Sequence, residues 1–262
     1  INQKNDYISM YNLAHLHFYE EPLKDSFEKS IHLLVKSAKS KFQPSIILLC
    51  LVLIMAFGID FNDLIKELKK YENLEVILTR REDTTLGLKE RMQIAVDQNV
   101  DYFISIHNNA AANPELSPKG CMVLVTNSHY QPKETQVPDI YETSSQLGLS
   151  IVGKLQDLGL LLGNELGADS NCGLVRRPYS IEGGARRTYY YPDGSTLDYY
   201  ALVRYGVEAG IPSIIIEHAY LSNEEDYRTY LATKEALDLL AKADAEGIAE
   251  ALALTEKEIE NK

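Results

Sequence analysis

Cysteine is scarce in this chain of 262 residues, and what there is has no pattern. Cys50, Cys121 and Cys172 show no Cys-x-x-Cys spacing, which argues against a zinc knuckle or a disulfide framework and leaves three plain buried or half-buried thiols as the expectation. Basic charge is also short. The 26 Lys and Arg stand against 38 Asp and Glu, a net charge of -12, so no cationic patch is expected to meet nucleic-acid phosphate, and no nucleic-acid partner is expected. The same balance gives no support to general electrostatic attachment to anionic lipids or wall polymers. No apolar run reaches the roughly 20 residues of a membrane-spanning helix. The longest, at 44–57, has the length of a signal-peptide core but lies too far inside the chain for one. A buried helix or strand is the plainest reading of that run; a displaced signal or anchor, with weak membrane association through 44–57, is the second, and a gene-model artefact the third. No repeat period is visible.

What is present is ordinary globular material, 45% hydrophobic and 24% charged, long enough for one sizeable domain and an appendage. Helical spacing appears over 28–39, 60–71, 86–99, 144–162, 197–209 and 233–252, and apolar runs that read as strands over 75–79, 102–106, 120–126 and 211–217. Residues 163–198 read mostly as loop. Gly210 is a helix C-cap signal, and Asn223 with the acids after it opens a short helix. Strands alternating with helices predict an α/β fold, a single mixed or mostly parallel sheet flanked by helices on both faces.

Two strands end in chemistry. Asp101-Tyr-Phe-Ile-Ser-Ile-His-Asn-Asn-Ala110 runs apolar and stops at His107, and Ile211-Pro-Ser-Ile-Ile-Ile-Glu217 stops at a carboxylate. Open α/β sheets place their sites at the carboxyl ends of strands. One end offers a neutral nitrogen ligand; the other offers a group able to act as ligand or general base. The competing reading makes Glu217 a structural carboxylate paired with Arg80 or Arg204. His218 should point to the opposite face of an extended strand from Glu217. His129 reads as a solvated loop residue.

These two stretches resemble the zinc-dependent N-acetylmuramoyl-L-alanine amidases, cell-wall enzymes with a Ser-Ile-His-x-Asn-Ala segment and a late Pro-x-x-x-x-Glu-x-x-x-Leu-Ser-Asn segment. A third block, Val76-Ile-Leu-Thr-Arg80 followed by Leu88-Lys-Glu-Arg91, resembles the family's strand and following helix. The resemblance implies that His107 is a zinc ligand, Glu217 the catalytic glutamate, and Asn109 and Asn223 residues that shape the substrate site. It implies one zinc ion, peptidoglycan or a muropeptide as partner, and an extracytoplasmic place of action in the cell envelope. It also divides the chain into a poorly matched extension at 1–57, an amidase-like catalytic domain at 58–254 and a polar tail at 255–262. Arg186 and Arg187, in a segment rich in tyrosine, are further candidates for substrate binding, since arginine clamps carboxylates and tyrosine stacks on sugars.

The chain departs from the family where the first two ligands belong. No Gly-His pair occurs anywhere, and positions 53–57 read Leu-Ile-Met-Ala-Phe, with no carboxylate. His15 and His17 are the nearest substitutes. The reading is therefore a peptidoglycan hydrolase using zinc-activated water, with a degenerate amidase domain that binds wall glycopeptide or a partner enzyme as the alternative.

Overall fold

In the computed structural model, which describes residues 47–53, 61–79, 86–111, 118–133, 135, 137–163, 171–182 and 185–258, the chain enters a sheet through β1 (Ile47–Leu53). It continues with β2 (Leu74–Leu78), β3 (Tyr102–Asn109), β4 (Met122–Leu124) and β5 (Leu174–Val175). A separate antiparallel hairpin of β6 (Ser180–Glu182) and β7 (Ala185–Arg187) follows, and β8 (Ser213–Tyr220) completes the main sheet. The order across the sheet is β2-β1-β3-β8-β4-β5. Neighbours from β2 to β8 pair parallel, β4 is antiparallel to β8, and β5 is parallel to β4, so the sheet is mixed, as expected.

Covering it are the helices α1 (Phe61–Leu68), α2 (Leu88–Asp97), α3 (Ile140–Asp157), α4 (Ala201–Ala209) and α5 (Lys234–Ala251). Alternation along the strands sorts the side chains between two faces. Ile104, Ile106, Ile214 and Ile216 pack with Leu64 and Leu68 of α1, Leu147 and Ile151 of α3, and Ile248 of α5. Phe103, Met122, Leu124 and Ile215 pack on the other face with Met92 and Ala95 of α2 and Leu202 and Val203 of α4. Each buried side chain of this size contributes about 1.5–3 kcal/mol. Two glycines let layers approach closely: a Cβ on Gly247 of α5 would sit 2.7 Å from the Ile151 Cα, and one on Gly206 of α4 would sit 1.8 Å from Ser213 Oγ.

Capping sets the helix ends. Asp139 accepts from the Glu142 N–H at 3.1 Å, which starts α3 at Ile140, four residues before the apolar spacing suggests. Gly210, with φ +77°, closes α4 at the expected residue. Asn223 accepts from the Asp226 N–H at 3.0 Å and opens the short turn Glu224–Asp226.

The boundary between 57 and 58 falls inside the sheet-bearing unit, because β1 lies between β2 and β3 and pairs with both. Residues 47–53 are thus hydrogen-bonded on both edges within the sheet, as the strand reading of that apolar run has it. The polar tail is docked at its start: Glu72 N–H donates to the Thr255 carbonyl and Lys257 N–H to the Lys70 carbonyl, both at 2.8 Å. The segment read mostly as loop over 163–198 also carries β5 and the β6–β7 hairpin, strands of two and three residues whose alternation is too short to register. His15, His17, Arg80 and the helix expected over 28–39 lie outside the described residues.

Candidate active site

The two apolar runs that end in His107 and Glu217 become adjacent parallel strands, with Phe103 opposite Ser213 and Ile106 opposite Ile216. Continuing that register sets His107 opposite Glu217. Since Ile106 and Ile216 face α1, α3 and α5, their successors His107 and Glu217 both turn to the other face, the one covered by α2 and α4. Both are half-buried near the carboxyl ends of their strands. The register then shifts between His107 and Asn109, so regular pairing breaks just beyond the pair. Bulges of this kind re-aim side chains next to sites.

The His107 ring is held from below. Ser105, two residues earlier on the same face, puts its Oγ 2.6 Å from His107 Nε2. Burial, then the charges of His218 and Arg91, push the imidazole down to about 4, so it is neutral at neutral pH and keeps a lone pair to offer. Arg91 is itself 5% exposed; it donates through Nε to the Leu86 carbonyl at 3.1 Å and through Nη1 to Thr79 Oγ1 at 3.4 Å. Ser105 and Arg91 are the two contributors that sequence reasoning did not single out. A serine inside an apolar strand, at the spacing that shares a face with His107, was the available signal.

Glu217 is flanked on its other side by Met122 of β4. Its successor His218 turns away into the opposite core, 1% exposed, where its Nε2 lies 2.9 Å from Asp244 Oδ2 and 3.0 Å from Oδ1. The chain beyond Glu217 is tied down closely. Asp226 Oδ2 accepts from Tyr220 N–H at 2.9 Å and from Gly120 N–H at 2.8 Å.

The expected substrate residues separate into two places. Asn109 ends β3 two residues past His107, and Asn223 follows β8 by three residues. Asn109 Oδ1 accepts from the Ala110 N–H at 2.8 Å, its carbonyl accepts from the Leu221 N–H at 2.7 Å, and Asn223 serves as a helix cap. Arg186 and Arg187 are exposed on β7, and among the described residues no hydrogen bond or ion pair joins them to His107 or Glu217. Arg204 donates to the Asp198 carbonyl at 3.1 Å. His129 is exposed, its ring centroid 4.0 Å from that of Tyr141.

A catalytic zinc ion takes three protein ligands plus water. Among the described residues no group of three His, Cys, Asp or Glu is placed to hold a metal. His107 and Glu217 supply two donors, and the donor set of the described residues does not fit a zinc centre.

Residues 61–250 match the family model described as N-acetylmuramoyl-L-alanine amidase. No curated protein matches the chain. Among solved structures, the catalytic domain of the amidase CwlV from Bacillus (Paenibacillus) polymyxa is similar with a TM-score of 0.53 at 20% identity, over 80% of this chain and 100% of that one. The apo amidase Ami1 of Mycobacterium abscessus gives 0.53 at 16% identity over 79% and 98%, and AmiC2 of Nostoc punctiforme gives 0.50 at 19% over 79% and 97%. At these identities the likeness is one of fold.

Proposed function

Because the chain belongs to the N-acetylmuramoyl-L-alanine amidase family, we propose that it hydrolyses the amide joining the lactyl group of N-acetylmuramic acid to L-alanine in peptidoglycan. The observation that carries this reading is the pairing of His107 with Glu217 across parallel strands inside the family-matched region. Amide hydrolysis needs a deprotonated water, relief of charge on the carbonyl oxygen and a proton for the leaving nitrogen. A carboxylate beside the scissile bond serves the first and third: Glu217 takes the proton of the attacking water on one oxygen and returns it to the amine as the C–N bond breaks. Neutral His107, one strand away on the same face, keeps a nitrogen available to the reacting carbonyl region or to a ligand. Asn109 and Asn223 shape the rim through the backbone turns they hold.

Zinc belongs to the family reading, and His107 is the residue that matches a ligand. The remaining ligands are not among the described residues, so Glu217 is assigned its proton-transfer role without a metal step. That incomplete set favours a second reading: a degenerate amidase domain that binds wall glycopeptide without cutting it. The substrate lies in the cell envelope, which puts the place of action outside the cytoplasm; among the described residues no helix is long and apolar enough to cross a membrane.

Incubation of the purified full chain with a soluble muropeptide tests the proposal, alongside zinc measured per chain. Release of stem peptide, lost on Glu217→Gln, supports hydrolysis. Binding without release, and no zinc, replaces it with the second reading.

A further inference from the structure

Four side chains beside the β6–β7 hairpin form a ladder. The Arg177 guanidinium lies 3.8 Å from the centroid of the Tyr199 ring and 5.8 Å from that of Tyr179, and the Arg186 guanidinium lies 4.4 Å from the Tyr179 ring. Backbone contacts fix the ladder. Arg177 Nε donates to the Tyr179 carbonyl at 3.1 Å, and the Tyr199 N–H donates to the Arg177 carbonyl at 2.8 Å. Tyr189 and Tyr190, which follow the hairpin, are 56% and 62% exposed.

The platform under these residues is rigid. Asp198, 2% exposed, accepts from Thr126 Oγ1 at 2.7 Å, from the Asn127 N–H at 2.8 Å and side-chain amide at 2.6 Å, and from the buried Tyr191 hydroxyl at 2.8 Å. The tyrosines and arginines therefore project from a fixed base. Large exposed rings grouped in this way mark binding surfaces. A guanidinium stacked on a ring keeps its planar N–H edge directed sideways, a geometry suited to carboxylate, while the exposed tyrosine faces suit the apolar faces of sugars.

The ladder lies away from the bond to be cut. Val175 is level with Leu124 and so with Ile215, and the chain past Val175 leads towards the level of Ser213, the direction opposite to Glu217. Four residues of strand separate Ser213 from Glu217, roughly 13 Å. One small ligand cannot span both places together with its specificity contacts, whereas a polymer passes over both.

The geometry points to a second peptidoglycan-binding surface, in which the Tyr199–Arg177–Tyr179–Arg186 ladder with Tyr189 and Tyr190 holds the stem-peptide carboxylates and sugar rings of the wall polymer apart from the site at Glu217. The choice of peptidoglycan rests on the amidase reading, and charge complements it. The complement is local and not a property of the acidic chain as a whole: Arg177 and Arg186, stacked on the Tyr199 and Tyr179 rings, set two cations against the stem-peptide carboxylates.

Cosedimentation with purified walls tests it. The full chain carrying Glu217→Gln, which cannot turn the polymer over, is compared with the same chain carrying Arg186→Ala and Arg187→Ala, and with one carrying Tyr189→Ala and Tyr190→Ala; all four sites are exposed. Walls stripped of phosphate polymers are the probe. About tenfold weaker retention of either variant, with an unchanged thermal midpoint, is the expected result. Retention unchanged in both variants overturns the proposal, as does binding only to unstripped walls, which would assign the surface to a phosphate polymer. Failure of the unsubstituted chain to release stem peptide from a soluble muropeptide sinks the amidase reading and leaves this result standing separately.

Discussion

Asp244 of α5 holds His218 from behind, with both carboxylate oxygens within 3.0 Å of Nε2, one residue along β8 from Glu217. The pair is 1% and 0% exposed, on the side of the sheet whose core is built mainly of Ile, Leu, Val and Ala. A buried pair of this kind gives little net stability against an apolar replacement, yet breaking it leaves one polar group stranded. His218→Ala is expected to destabilise by about 3–5 kcal/mol. The double change His218→Leu with Asp244→Leu should be close to neutral. Urea unfolding of the three proteins checks this; equal losses in the single and double variants would contradict the pairing.

In the proposed mechanism, Glu217→Gln removes the proton acceptor and keeps the shape of the side chain. Stem-peptide release should fall by about 10²–10⁴ with an unchanged unfolding midpoint. His107→Ala should also abolish release, and it leaves Ser105 Oγ without the contact at 2.6 Å, so a modest loss of stability accompanies it. Release assays with a soluble muropeptide give the answer.

Burial raises the Asp198 carboxyl above its usual range, outweighing the donors from Asn127, Thr126 and Tyr191 that favour the charged form. A carboxyl whose folded pKa lies above its unfolded value contributes stability that is present below the unfolded pKa, roughly 4, and lost as pH rises through the folded one. The unfolding free energy should therefore decline over that window more steeply in the natural chain than in Asp198→Asn, which does not titrate. Parallel curves for the two would refute the assignment.

Gly206→Ala drives a methyl group to within 1.8 Å of Ser213 Oγ, 2.4 Å of its Cβ and 2.8 Å of the Ile211 carbonyl. Overpacking of this order costs about 1–3 kcal/mol or more. Adding Ser213→Gly removes two of the three clashes and should recover part of the loss, as read from thermal midpoints.

Cys121 is 0% exposed, and burial pushes its thiol up to about 12. The thiolate fraction at pH 8 is then about 10⁻⁴, and the sulfur is covered as well. Iodoacetamide should leave the Cys121 peptide unmodified in the native protein and label it after denaturation, as followed by mass spectrometry.

The long strands were legible because β3 and β8 contain apolar runs, broken at His107 and Glu217. Their adjacency was not visible in the chain, since pairing residues 110 apart depends on sheet order. The β6–β7 hairpin was hidden because three residues of alternation do not separate from noise. Of the site's supports, Ser105 left a signal, a serine inside an apolar strand two residues before His107, whereas Arg91 acts through burial and contact that its spacing does not announce. The place of β1 was obscured by its own composition. An apolar run suits a core strand and a membrane segment equally, and only its pairing with β2 and β3 decides between them.

That position of β1 governs how the chain can be divided. The family-matched stretch begins at residue 61, after β1 has ended. A fragment cut to that stretch would keep both members of the His107–Glu217 pair and still lose the strand that joins β2 to the rest of the sheet. β2 would have no partner, and β3 would present an open edge of unpaired N–H and C=O groups, a template for self-association. Such a fragment should come out insoluble or aggregate at concentrations the longer chain tolerates. The sheet reaches back at least to Ile47, ahead of the family-matched stretch.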